Sequence, residues 1–309
     1  MNLSRATSFG MALALLWIAG CGSSAGTKTA TGGAGGAGAT GGTAGMAAMG
    51  SGGSVTATKT TLLVDFDDSD NNVDPTDTSA APSASDTAFA TLLQGEGVRY
   101  DTFVVPEAAM PSTPAPSALA GYKVLVWYTG EQSGQNQTLS AVQEATVEAW
   151  LDQGQKTMLV FSQQLFFGLG VDDWTTPERN VFLANYIGAA GDAVDNLADV
   201  TYTAKGAAGS AFAGQVFQVI SDTPIGSTAD EVNPKSGTDT LVTVSDDPDG
   251  SGTKHDVAVV VGRKHVGAAG TSTVVYVGMP LENLQASAKN STSAQFFHAA
   301  LVYAGLESP

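Results

Sequence analysis

Three uninterrupted apolar runs, each closing on a polar tip, constrain this chain more than anything else in it. They are residues 60–66 (TTLLVDF), 122–128 (YKVLVWY) and 157–161 (TMLVF). A strand with one wet face alternates apolar and polar residues, whereas strands buried on both faces are apolar at consecutive positions. Helical patterns lie between the runs. Ser85 or Asp86 can cap a helix carrying Phe89, Leu92 and Leu93 that ends at Gly95 or Gly97, and residues 100–105 form a further strand. Residues 138–153 place Leu139, Val142, Thr146, Ala149 and Trp150 on one helical stripe, with Gly154 as the stop. Strand and helix in alternation predict a parallel sheet covered on both faces and built with right-handed crossovers.

A helix over residues 177–187, with Val181, Phe182, Asn185 and Tyr186 and a stop at Gly188, ends this alternation. Beyond it the pattern turns strand-rich, with candidate strands at 200–203, 215–220, 240–244, 256–261 and 273–277 separated by Gly, Asp and Pro turns. An amphipathic helix at 291–303 follows. The expected architecture is a flavodoxin-like α/β sheet with a β-rich C-terminal extension, occupying residues 58–309.

The first 57 residues are of another kind. Arg5, the apolar stretch 11–18 and Ala19-Gly20 have the order of a secretory signal, too short for a membrane span of about 20 apolar residues. Leu16-Trp17-Ile18-Ala19-Gly20-Cys21 resembles the lipobox of bacterial lipoproteins. That resemblance implies cleavage after residue 20, a lipidated Cys21 and a membrane anchor in the bacterial cell envelope, expected at the outer membrane. Cys21 is the only cysteine in the chain, so no internal disulfide can brace the fold.

Residues 22–57 hold 13 glycines in 36 positions with no Asp or Glu and no apolar period, the composition of a flexible tether. As a Gly-rich coil it would span roughly 30–36 Å. The glycines do not recur every third residue, which excludes collagen, and they follow no strand and open no helix, which excludes a dinucleotide loop.

The phrases that carry a second resemblance run in order along the ordered part. They are Leu62-Leu63-Val64-Asp65-Phe66-Asp67-Asp68, then Gly121 to Glu131 (GYKVLVWYTGE), then Trp150-Leu151-Asp152-Gln153-Gly154-Gln155, then Phe161-Ser162-Gln163-Gln164, and finally Val274 to Glu282 (VVYVGMPLE). Together they resemble a secreted bacterial domain, often appended to exported proteases, with a class I glutamine amidotransferase-like fold. The resemblance implies a nucleophile on the turn after the 157–161 strand and a histidine after the last core strand. Ser162 stands at the first position and Met279-Pro280-Leu281-Glu282 at the second, so neither half of a Cys–His dyad is present.

A serine hydrolase using Ser162 is the enzymatic alternative, with His255, His265 and His298 as the available bases. The Gly-x-Ser-x-Gly elbow is missing. The preferred reading is a bland one, in which Ser162 and the two glutamines after it cap a helix or satisfy backbone groups at the strand tip. In doubly wound sheets ligands bind at the carboxyl ends of the strands, so Asp65, Glu131, Ser162, Gln163 and Glu282 are expected to share a pocket.

Asp67, Asp68, Asp70, Asp74 and Asp77 crowd one loop, and calcium favours several carboxylates on one short loop, although a solvated acidic loop explains the same run. An EF-hand reading from Asp247 fails because position 258 is Ala258. Beyond residue 57 the chain has 11 Lys and Arg against 30 Asp and Glu, a surface that repels nucleic acid and anionic headgroups. The expectation is a non-enzymatic envelope module, without cofactor, that binds a protein or a glycan.

Overall fold

The computed structural model describes residues 59–66, 84–105, 113–130, 138–169, 180–190, 194–195, 201–220, 229–246 and 253–307. The signal, Cys21, the tether, the acidic loop with Asp67, Asp68 and Asp70, the tip residue Glu131 and the turn at 247–250 lie outside the described residues.

Each long apolar run is a strand buried along its whole length: β1 (Thr61–Asp65), β3 (Val124–Tyr128) and β4 (Thr157–Phe161). With β2 (Tyr100–Val104) and β11 (Ser272–Val277) they form a parallel array in the order β2-β1-β3-β4-β11. The remaining strands are β5 (Val194–Asp195), β6 (Thr201–Gly206), β7 (Val216–Ile220), β8 (Asp230–Glu231), β9 (Asp239–Asp246) and β10 (His255–Val266). β10, β9, β6 and β7 continue the same sheet beyond β11 with antiparallel pairing, giving nine strands, and β5 pairs with β8 apart from it. The β-rich extension is therefore part of one mixed sheet, with β11 as the junction between its two halves.

Consecutive residues of one buried strand enter different cores. Leu63, Val126, Leu159 and Val275 face a cluster with α1 (Ala84–Gly95) and α5 (Ser293–Ala304), which supply Phe89, Leu93, Phe296 and Phe297. Leu62, Leu125, Met158 and Val274 face the other, with α2 (Pro116–Leu119) and α3 (Ala141–Leu151), which supply Leu119, Val147 and Trp150. This is why the runs show no alternation: both sides of the pleat are dry.

Several details differ from expectation. Ser85 and Asp86 sit inside the first turn of α1 rather than capping it. In α3 the cap is Ser140, whose hydroxyl accepts from the Gln143 N–H while the Gln143 side chain accepts from the Ser140 N–H. That reciprocal bond turns Gln143 inward and leaves Val142 53% exposed, so the buried stripe is Gln143, Thr146, Val147, Trp150 and Leu151. Leu139 is buried ahead of the helix. The helix expected to end at Gly188 finishes as a π turn, Leu183–Ile187, with Gly188 in the left-handed conformation as its stop. The wider turn buries Phe182, Leu183 and Tyr186 and leaves Val181 and Asn185 exposed.

Candidate functional site

Because β1, β3, β4 and β11 run parallel, their carboxyl ends reach one edge, where the backbone stitches the tips together. The Phe66 N–H donates to Tyr128 O at 3.0 Å, Thr129 N–H to Phe161 O at 3.1 Å and Ser162 N–H to Val277 O at 3.0 Å. The side chains at these tips fall into separate groups.

Asp65 ends β1 and turns toward Tyr128 instead of an open crevice. The Tyr128 hydroxyl donates to Asp86, and Phe89 stacks on its ring at 4.4 Å. Burial first, then the charges of Asp65 and Asp86, hold the Tyr128 hydroxyl well above the ordinary tyrosine range. This phenol is a hydrogen-bond donor locked between β1 and α1.

Ser162 follows β4 and is 2% exposed; Thr129, following β3, is fully buried, and its hydroxyl donates to Ser162 Oγ at 2.9 Å. The next residue, Gln163, is equally buried, and among the described residues neither its amide nitrogen nor its oxygen has a hydrogen-bond partner. Ser162, Gln163 and Glu282 share a cleft with Tyr128 and Met279 whose volume is ≈ 10 Å³. That is about the room of one water. Of the five residues expected to form a pocket, three meet, Asp65 is not on that cleft's wall, and Glu131 is outside the described residues.

No histidine stands by Ser162. His298 Nδ1 lies 3.0 Å from Glu96 Oε2, His255 Nδ1 lies 3.4 Å from Thr253 O, and His265 occupies a bulge in β10 with φ 62°.

Two acidic residues that the sequence pattern did not single out are the most deeply buried at this edge. Asp230 has no exposed surface and Glu231 is 1% exposed. The backbone of β8 is fixed by Asp230 N–H to Gly278 O at 2.8 Å and Val232 N–H to Ala258 O at 2.7 Å. Asp230 Oδ2 accepts from Phe166 N–H at 3.1 Å and from the Tyr276 hydroxyl, which also lies 2.8 Å from Ser162 O. Burial first, then Asp246, pushes the Glu231 carboxyl up to about 8. Their only sequence signal is an acidic pair in a polar stretch, which reads as a loop.

A larger cavity, ≈ 440 Å³, opens at the opposite edge, beside the amino ends of β1 and β3, between Lys59, Leu93, Arg99, Val126 and Leu301. This larger described cavity thus lies at the edge away from the expected pocket. Among those residues no three His, Cys, Asp or Glu side chains cluster as a metal set, and no helix is long and apolar enough to cross a membrane.

No protein-family model and no curated protein matches the chain. Among solved structures it is similar to a cytoplasmic protein of Salmonella typhimurium, with TM-score 0.48 and 11% identity over 79% of this chain and 98% of that one. It is also similar to the glutaminase domain of Trypanosoma brucei CTPS, with TM-score 0.45 and 12% identity over 81% and 94%. A β-galactosidase of Bacillus circulans gives TM-score 0.45 and 12% identity over 79% of this chain and 30% of that one. What the chain itself defines is a mixed α/β protein built on one large sheet.

Proposed function

We propose that this chain is a bacterial envelope lipoprotein, lipidated at Cys21, that presents a non-catalytic amidotransferase-like domain as a binding or support module for a protein or glycan. The parallel order β2-β1-β3-β4-β11 supports the flavodoxin-like reading, since it follows the 2-1-3-4-5 order of one doubly wound class.

The observation that carries the non-catalytic reading is the state of Ser162. It stands where the resemblance puts a nucleophile, yet its hydroxyl is buried against Thr129, and all three histidines are engaged or placed elsewhere. A nucleophile needs a base within hydrogen-bond reach and a substrate-sized space before it. Among the described residues the cleft at Ser162 has neither.

Two experiments test the reading. A panel of ester, amide and glycoside substrates should show no turnover; turnover lost in Ser162→Ala would establish the hydrolase instead. For the anchor, the full chain should incorporate labelled palmitate and sediment with membranes, and Cys21→Ser should do neither. Unchanged labelling in that variant would remove the lipoprotein assignment.

A further inference from the structure

We infer that the ≈ 440 Å³ cavity at the amino ends of β1 and β3 is a binding site for a small zwitterion with an apolar side chain, the class of free amino acids and dipeptides. Its volume falls within the roughly 300–1,000 Å³ of small-molecule sites. Its floor is apolar and comes from three elements: Leu93 of α1, Val126 of β3 and Leu301 of α5, all buried.

Two helices stop at this cavity, and they stop in the same way. After α1, Gly97 N–H donates to Gln94 O at 3.0 Å and Val98 N–H to Leu93 O at 2.9 Å, with Gly97 at φ 67°. After α5, Gly305 N–H donates to Val302 O at 3.0 Å and Leu306 N–H to Leu301 O at 2.9 Å, with Gly305 at φ 74°. Each left-handed glycine turns the chain back over the end of its helix. The apolar residue after it, Val98 or Leu306, therefore joins the cavity wall, and the charged residue that follows, Arg99 or Glu307, lines the same cavity from an exposed position. These backbone bonds set the walls before a ligand arrives.

Charge decides the kind of ligand. Among the described residues Arg99 and Glu307 form no ion pair with each other, and neither side chain has a hydrogen-bond partner. Lys59, also on the lining, is already held by Asp101 at 3.5 Å and donates to Tyr100 O. A simple anion would suit Arg99 and be repelled by Glu307; a simple cation would meet the reverse. A zwitterion suits both. The Arg99 guanidinium takes a carboxylate in a two-pronged hydrogen bond. The ammonium is favoured by Glu307 and by the partial negative charge at the two helix C-termini. An aliphatic or aromatic side chain then covers the floor and removes it from water.

Isothermal titration of the full chain with leucine, phenylalanine and leucyl-leucine tests this, beside isocaproate, which lacks the ammonium, and isoamylamine, which lacks the carboxylate. The expected result is saturable binding of at least one of the zwitterions, weakened about tenfold or more in Arg99→Gln and in Glu307→Gln, with both analogues weaker by a similar factor. Both substitutions change exposed side chains, and circular dichroism matching the parent's confirms that each variant is folded. The inference is overturned if no zwitterion binds at millimolar concentration, if either analogue binds as tightly as the zwitterions, or if either variant binds as the parent does.

Discussion

The hydroxyl of Thr129 donates to Ser162 Oγ at 2.9 Å, joining the tips of β3 and β4 inside the protein. With both side chains buried, the bond acts as a clasp between the two strand tips. Ser162→Ala leaves the Thr129 donor unpaired and should cost about 1–3 kcal/mol. Replacing both, with Thr129→Val added, should recover part of that loss. Chemical denaturation of the two single variants and the double variant checks this, and additive costs would mean the two hydroxyls do not interact.

Glu231 makes stability depend on pH in a definite direction. Its carboxyl rises from 4.5 in the unfolded chain to about 8 in the fold. Between those values the folded chain keeps a proton that the unfolded chain has lost, so this contribution is complete below 4.5, declines as pH rises and is gone above about 8. Urea midpoints measured in chelator from pH 5 to 9 should fall with pH in the parent. Glu231→Gln should flatten that slope.

Gly262 on β10 lies under the ring of Tyr303 from α5. A Cβ there would come within 2.3 Å of the ring, and the Tyr303 hydroxyl is itself tied to Asp239 at 2.9 Å. Gly262→Ala should therefore force α5 or the ring outward and cost about 1–3 kcal/mol by overpacking. A thermal midpoint equal to the parent's would show that the ring gives way freely.

Trp150 fills the core beneath α3 and its indole N–H donates to Tyr122 O at 3.3 Å, beside Lys156, whose ammonium also donates to that carbonyl at 2.7 Å. Trp150→Ala should cost about 3–5 kcal/mol. Trp150→Phe, which keeps most of the volume, should cost much less, because Lys156 still satisfies the carbonyl. Paired denaturation curves separate the two effects.

Strands β1, β3 and β4 were legible because burial on both faces leaves a continuous apolar run, and Gly188 was legible because a left-handed stop favours glycine. The facing of α3 was not. Val142 and Gln143 exchange their expected places through a capping bond that no hydrophobic count registers. At the candidate site the partners were not legible: Asp65 meets Tyr128, Ser162 meets Thr129, and among the described residues the cleft at Ser162 holds about one water. Asp230 and Glu231 escaped notice because an Asp-Glu pair reads as solvated until the fold encloses it.

The seam at β11 has a consequence for how the chain is made. Lys156 N–H, just before β4, donates to Ser272 Oγ, 116 residues later. The first four parallel strands are thus synthesised long before the strand that completes them, and until it arrives β4 presents an open, wholly apolar edge. Such an edge is a template for the wrong neighbour. The vulnerable species is the half-made sheet, so a nascent chain halted before residue 272 should be the form that aggregates or recruits chaperones, while the completed protein does not.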